Sequence, residues 1–193
     1  MDKEVKYSCL QFLKGAGPPI IIVAAVREAE AIVNACRNAG IVVSAICDSV
    51  KKKTQDLFCG LEVIHTPTLP ERFSKARFII AAQQIQDTVE QLSGLGYDEF
   101  YSALELLENY DVGKHQHVTS SQSYMEARIL GYKKGHAVYF DEEKTYMRSV
   151  DVMITTKCSL KCESCSNLMQ YYVDPKNTDH EKILAAIEII NEN

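Results

Sequence analysis

Ile20-Ile21-Ile22-Val23-Ala24-Ala25 is a continuous apolar run rich in β-branched residues, the pattern of a strand buried on both faces. Downstream, Glu28 to Ala39 places Ala29, Ile32, Val33 and Cys36 at helical spacing, and Gly40 follows as a C-terminal stop. Ile41 to Cys47 reads as the next strand and ends at Asp48. Leu61 to Ile64 and Phe78 to Ala82 are further strand-like runs. Ile85, Val89 and Leu92 then form a helical stripe that ends before Gly94 and Gly96, and Glu99 to Tyr101 supplies a last short strand.

This alternation predicts an α/β fold with right-handed crossovers, a mostly parallel sheet and helices on both faces. It resembles the small Rossmann-like domains that accompany bacterial sugar-modifying enzymes, in which an acidic residue closes the second strand. Asp48 occupies that place, so the resemblance makes it a candidate nucleotide-binding residue, contacting ribose hydroxyls. The alternative for Asp48 is a solvated loop carboxylate. The glycine fingerprint is missing: the turn after the first run reads Ala24-Ala25-Val26-Arg27-Glu28-Ala29. Its side chains would crowd a pyrophosphate, and Glu28 sets negative charge at a helix N-terminus that otherwise attracts anions. Gly15 and Gly17 precede the strand and cannot serve.

Composition narrows the function classes. The 193 residues are 46% hydrophobic and 24% charged, ordinary for a globular protein, with a net charge of -5. That charge argues against nucleic-acid binding by phosphate neutralisation. The longest apolar run, Pro18 to Val26, is strand-sized, so no membrane span is expected. The N-terminus lacks a cleavable apolar core, and the expected location is cytoplasmic.

Between Asp111 and Arg148 the composition turns polar. His115 and His117 fall on one side of an extended chain, a weak case for metal and a better one for loop histidines. Ser121 to Leu130 predicts a short helix. Ala137 to Phe140 and Thr145 to Met147, around Asp141-Glu142-Glu143-Lys144, read as a hairpin. The expected organisation is a Rossmann-like domain over 1–110, a hairpin linker over 111–148 and a further segment over 149–193.

Of the seven cysteines, Cys9, Cys36, Cys47 and Cys59 are scattered among apolar or small neighbours, as core residues would be. The other three are close together. Val150 to Thr156 is strand-like and runs into Lys157-Cys158-Ser159-Leu160-Lys161-Cys162-Glu163-Ser164-Cys165. Three thiolates on one short loop can hold three corners of an iron–sulfur cubane and leave one iron open. Zinc sites usually pair two Cys-x2-Cys units or add histidines, and His180 is the sole histidine nearby. Bacterial ferredoxins use a different order of spacings, and a disulfide would leave an odd thiol.

The Cys-x3-Cys-x2-Cys spacing after a strand resembles the radical S-adenosylmethionine superfamily. The continuation Ser166-Asn167-Leu168-Met169-Gln170-Tyr171-Tyr172 is similar to a branch often encoded among cell-surface carbohydrate genes. The resemblance implies a [4Fe–4S] cluster held by Cys158, Cys162 and Cys165, with S-adenosylmethionine chelated at the open iron. Reductive cleavage then gives methionine and a 5′-deoxyadenosyl radical. It also implies a reductant such as a flavodoxin or ferredoxin, and a carbohydrate or peptide substrate of unknown identity. Ser164 stands where the family often has an aromatic residue near the adenine, which makes Ser164 a candidate S-adenosylmethionine contact and puts that contact in doubt.

A complete core of that family is a partial (β/α) barrel about as long as this chain. After the cysteines only one helix is predicted, from a Thr178-x-x-Glu181 capping box, with Ile183, Ile187 and Ile190 as its buried stripe. The expectation is a first βα unit of an incomplete barrel, in a truncated chain that is inactive alone. Its apolar strand would be covered by the first domain or by another chain, or stay mobile, and homo-oligomerisation is left open. A second reading stands beside this one: a non-catalytic Rossmann-like module that binds a nucleotide or partner, its cysteines vestigial or holding a structural metal.

Overall fold

The computed structural model describes residues 5–7, 9–51, 53, 57–141, 152–159, 162–163 and 171–192. The chain divides into two compact units, Met1–Tyr146 and Met147–Asn193.

The first unit is built on a seven-stranded sheet: β1 (Val5–Lys6), β2 (Ile20–Val23), β3 (Val43–Asp48), β4 (Leu57–Phe58), β5 (Leu61–His65), β6 (Arg77–Ile80) and β7 (Glu99–Ser102). The order across the sheet is β1-β7-β6-β2-β3-β5-β4, and every pairing is parallel except β4 with β5. The sheet is therefore Rossmann-like, as the strand–helix alternation predicts. Strand order reverses between β2 and β6, which opens a crevice at their carboxyl ends.

All four residues of β2 and of β6 are buried, because helices cover both faces. Period-2 alternation divides them between two cores. Ile20, Ile22, Ile46, Ile79 and Tyr101 pack on one side, and Ile21, Val23, Cys47, Phe78, Ile80 and Phe100 on the other. Each such large side chain contributes about 1.5–3 kcal/mol on leaving water.

The helices are α1 (Leu10–Leu13), α2 (Arg27–Asn38), α3 (Leu69–Arg72), α4 (Ile85–Gly94), α5 (Leu104–Leu107) and α6 (Gln122–Tyr139). Helix α2 ends in a Schellman motif: Ile41 N–H donates to Cys36 O, Gly40 N–H donates to Arg37 O, and Gly40 takes φ +70°. Arg77 at the start of β6 is buried and ties down the loop before β2, donating to Phe12 O and Pro18 O. A Cβ on Gly17 would meet that guanidinium at 3.0 Å, so this glycine serves close approach and not ligand binding.

Two short strands have no counterpart in the sequence reading. β1 is an edge partner of β7, and β4 is joined to β5 by Cys59-Gly60, both at positive φ, the two-residue hairpin geometry that matches strand twist.

The region after residue 110 differs most from expectation. Helix α6 runs unbroken to Tyr139, so Ala137 to Tyr139 are its last residues and not an arm of a hairpin. The other expected arm, Thr145 to Met147, lies outside the described residues. The helix continues because Met125, Ile129, Tyr132 and His136 form one buried stripe. That stripe docks α6 on the ends of β6 and β7, within the first compact unit.

In the second unit, the expected strand over Val150 to Thr156 is reduced, among the described residues, to an isolated antiparallel bridge between Thr155 and Asn177. Pro175 has no N–H to extend a ladder beyond it. Helix α7 (His180–Glu192) follows. Its first turn is capped by Asp179, whose Oδ1 accepts from Glu181 N–H at 3.0 Å, while the Thr178 hydroxyl donates to Met153 O. The Thr178 capping box is thus replaced by an Asp179 cap. The expected buried stripe is not buried either: Ile187 is 45% exposed and Ile190 39%, with Ile183 half-buried.

Candidate functional site

Two places merit chemical description, one in each unit. In the first, a cleft of about 690 Å³ lies at the carboxyl ends of β2, β3 and β6, where the strand order reverses. Ala24 and Ala82 line its base, the first turn of α2 contributes Val26 and Glu28, α4 contributes Asp87 and Gln91, and α6 contributes Arg128.

The turn from β2 into α2 is held by Asp48. Its Oδ2 accepts from Ala25 N–H at 2.8 Å and from Lys53 Nζ at 2.9 Å, and its Oδ1 accepts from Val50 N–H at 2.8 Å. Asp48 is only 4% exposed, so the solvated-carboxylate alternative does not describe it. Lys53 also donates to Ala25 O, so both polar groups of the Ala25 backbone are held from the β3 side. Ala24 carries φ +78°, a left-handed conformation that costs a non-glycine residue about 1–2 kcal/mol. The carboxylate expected to meet a ribose is committed to the protein's own turn.

Glu28 is fully buried at the start of α2. Its Oε1 accepts from Arg128 at 2.6 Å and from the Gln83 amide at 3.3 Å. Among the described residues, its Oε2 and the Nε of Arg128 are buried and have no hydrogen-bond partner. Burial works to lower the pKa of Arg128, yet the Glu28 carboxylate beside it outweighs burial and holds it above the ordinary value. Arg128 was not among the residues the sequence singled out. It flanks the α6 stripe, and nothing local marks its pairing with Glu28.

Behind the cleft, α6 is anchored by two polar side chains. Tyr132 O–H donates to Ile80 O at 2.7 Å and accepts from Ala103 N–H at 3.0 Å. His136 Nε2–H donates to Ala82 O at 2.9 Å, which leaves Nδ1 to accept from the Ser102 hydroxyl at 3.0 Å. Burial pushes the His136 pKa down to about 4, so the ring is neutral at physiological pH. His115 and His117 are half-buried: His115 stacks on Tyr110, and His117 bonds Val112 O. Neither belongs to a metal-sized group of ligands among the described residues.

The second place is the cysteine loop. Thr156 N–H donates to Lys176 O at 2.9 Å and Thr178 N–H donates to Ile154 O at 3.0 Å, which closes the loop at its base. Cys158 and Cys162 are both exposed on it. Cys165 and Ser164 lie outside the described residues. The other cysteines contrast with this pair. Cys9, Cys36 and Cys47 are buried, as core residues are expected to be, and burial pushes each thiol up to about 12. Cys59 is half-buried and raised by the same cause to about 11. Since the thiolate is the metal ligand, those four are poor donors, and the accessible pair on the loop fits the sulfur-only donor set of an iron–sulfur cluster.

Among the described residues, no helix is long and apolar enough to cross a membrane. The chain matches no protein-family model, no curated protein and no solved structure.

Proposed function

We propose that this chain carries the cluster-binding loop of a radical S-adenosylmethionine enzyme, with a Rossmann-like unit as its accessory domain. The observation that supports this reading is the contrast among the cysteines. Cys158 and Cys162 are exposed on one loop with a third cysteine three residues on, while the other thiols are in or beside the core. When bound, a [4Fe–4S] cluster with one open iron supplies the electron that cleaves S-adenosylmethionine. The protein's part is to present Cys158, Cys162 and Cys165 as three thiolates on a loop closed at Thr155 and Asn177. Ser164 is too small to stack on an adenine, so any cofactor contact from that position would be a hydrogen bond.

Anaerobic reconstitution with iron and sulfide tests this directly. The expected outcome is about four irons per chain and a cluster absorption band. Cys158→Ala, Cys162→Ala and Cys165→Ala each remove the band, while Cys59→Ala retains it. An unchanged band in the three loop variants sinks the proposal.

A second reading is favoured by the cleft at the β2–β6 crevice. In it the first unit is a non-catalytic binding module, and the loop cysteines hold a structural metal or none. Stoichiometric zinc without iron in aerobically purified protein would select it.

A further inference from the structure

We propose that the cleft at the carboxyl ends of β2, β3 and β6 binds an uncharged polyhydroxylated ligand through Glu28 and Arg128, and excludes pyrophosphates. The inference sharpens the second reading, in that it gives the first unit a ligand class. It does not depend on whether the cysteine loop holds a cluster.

The first argument concerns the buried pair. Glu28 is fully buried, lines the cleft, and has one carboxylate oxygen that no described residue reaches. Arg128 lines the same cleft with its Nε buried and likewise unpartnered. A buried polar atom left without a partner bears its desolvation penalty uncompensated, so an unmet acceptor and an unmet donor in the same site both gain from a ligand that satisfies them. A hydroxyl both donates and accepts, so it suits a carboxylate oxygen and a guanidinium N–H together. A phosphate only accepts, and would leave Glu28 Oε2 as it is.

The second argument concerns charge and space. Dinucleotide folds seat a pyrophosphate on the N-terminus of the helix after the first strand, over a glycine-rich turn. Here the first turn of that helix carries Glu28 and Glu30 beside Arg27, and Ala24, Ala25 and Val26 fill the turn with side chains. Ala25 N–H, which would face a phosphate in such a site, donates instead to Asp48. The usual sugar-binding carboxylate is consumed in holding this turn, and Glu28 is the acceptor left over. Gln83, Gln91 and Asp87 give the rim further donors and acceptors for hydroxyls.

Two sources carry this chemistry, a free sugar and the ribose of a nucleoside, and three probes separate them. The purified chain is titrated by calorimetry with glucose, adenosine and NAD+. At least one of the two phosphate-free probes is expected to saturate, at least tenfold tighter than NAD+. Saturation by glucose alone assigns a sugar, and by adenosine alone a nucleoside. Glu28→Gln keeps the shape of the side chain and should weaken that binding at least tenfold with unchanged circular dichroism. Should that variant fail to fold, Val50→Trp fills the cleft from an exposed lining position and should abolish binding. The proposal is overturned if NAD+ binds as tightly as both other probes, if neither phosphate-free probe binds at millimolar concentration, or if a folded Glu28→Gln or Val50→Trp chain binds unchanged. Metal content leaves this result untouched, so the cluster reading and this one fail separately.

Discussion

The Oδ2 of Asp48 accepts a hydrogen bond from the backbone N–H of Ala25 at 2.8 Å, which joins the end of β3 to the turn that follows β2. In a dinucleotide fold, a turn N–H of this kind meets a phosphate and the strand-end carboxylate meets a ribose. Here the two meet each other. The interaction turns a position expected to recognise ligand into one that shapes the floor of the cleft.

Replacing Asp48 should therefore act on stability. Asp48→Ala leaves Ala25 N–H and Val50 N–H without acceptors and Lys53 without its carboxylate partner. The expected loss is about 2–4 kcal/mol, seen as a lower urea midpoint. A loss below about 1 kcal/mol would show that this carboxylate does not hold the turn.

His136 gives the first unit a pH dependence. Its pKa falls from the ordinary 6.5 to about 4 on folding, because burial penalises the imidazolium. Between those two values the unfolded chain binds more protons than the folded one, so stability rises with pH across that window and is lost as pH falls through it. The full effect is about 3 kcal/mol. His136→Gln, with no titrating ring, should flatten the slope of unfolding free energy against pH between about 4 and 6.5. A slope equal to wild type would assign the dependence to other groups.

Tyr132 should be intolerant of losing one oxygen. Its hydroxyl bridges Ile80 O and Ala103 N–H at full burial, tying α6 to the ends of two strands. Tyr132→Phe preserves the ring and orphans the amide, at an expected cost of about 1–3 kcal/mol. Chemical denaturation of the two proteins measures it, and equal midpoints would contradict the bridging role.

Thiol labelling of the metal-free chain at neutral pH should sort the cysteines. Cys158 and Cys162 are exposed and should alkylate in the native protein. Cys9, Cys36 and Cys47, buried and held protonated by pKa values near 12, should label only after denaturation. Peptide mass mapping reads the pattern. Native labelling of Cys36 or Cys47 would mean that the sheet core is more open than described.

The sequence carried the sheet well where local pattern and tertiary need coincide. Ile20 to Val23 and Phe78 to Ile80 read as strands because a parallel strand buried on both faces is apolar at every position. Gly40 read as a helix stop because a left-handed residue must follow α2. Helix α6 was only half legible. Gly131, Lys133, Lys134 and Gly135 interrupt its apolar pattern, and two of its four buried residues, Tyr132 and His136, are polar at the tip. Their spacing was helical, but nothing nearby in the chain indicated that strand-end carbonyls would satisfy them.

By itself the sequence determined the Rossmann-like alternation, the absence of a glycine fingerprint and the crowding of three cysteines, since each is a matter of residue type and short spacing. Tertiary structure decided the rest. It turned Asp48 inward to Ala25, and it brought Arg128 of α6 onto Glu28 of α2. It exposed Cys158 and Cys162 while burying Cys9, Cys36 and Cys47. Those outcomes depend on which distant groups arrive to accept or donate a hydrogen bond, and on how much water they displace. Such partners are chosen by the packing of whole elements, beyond the reach of any local window of sequence.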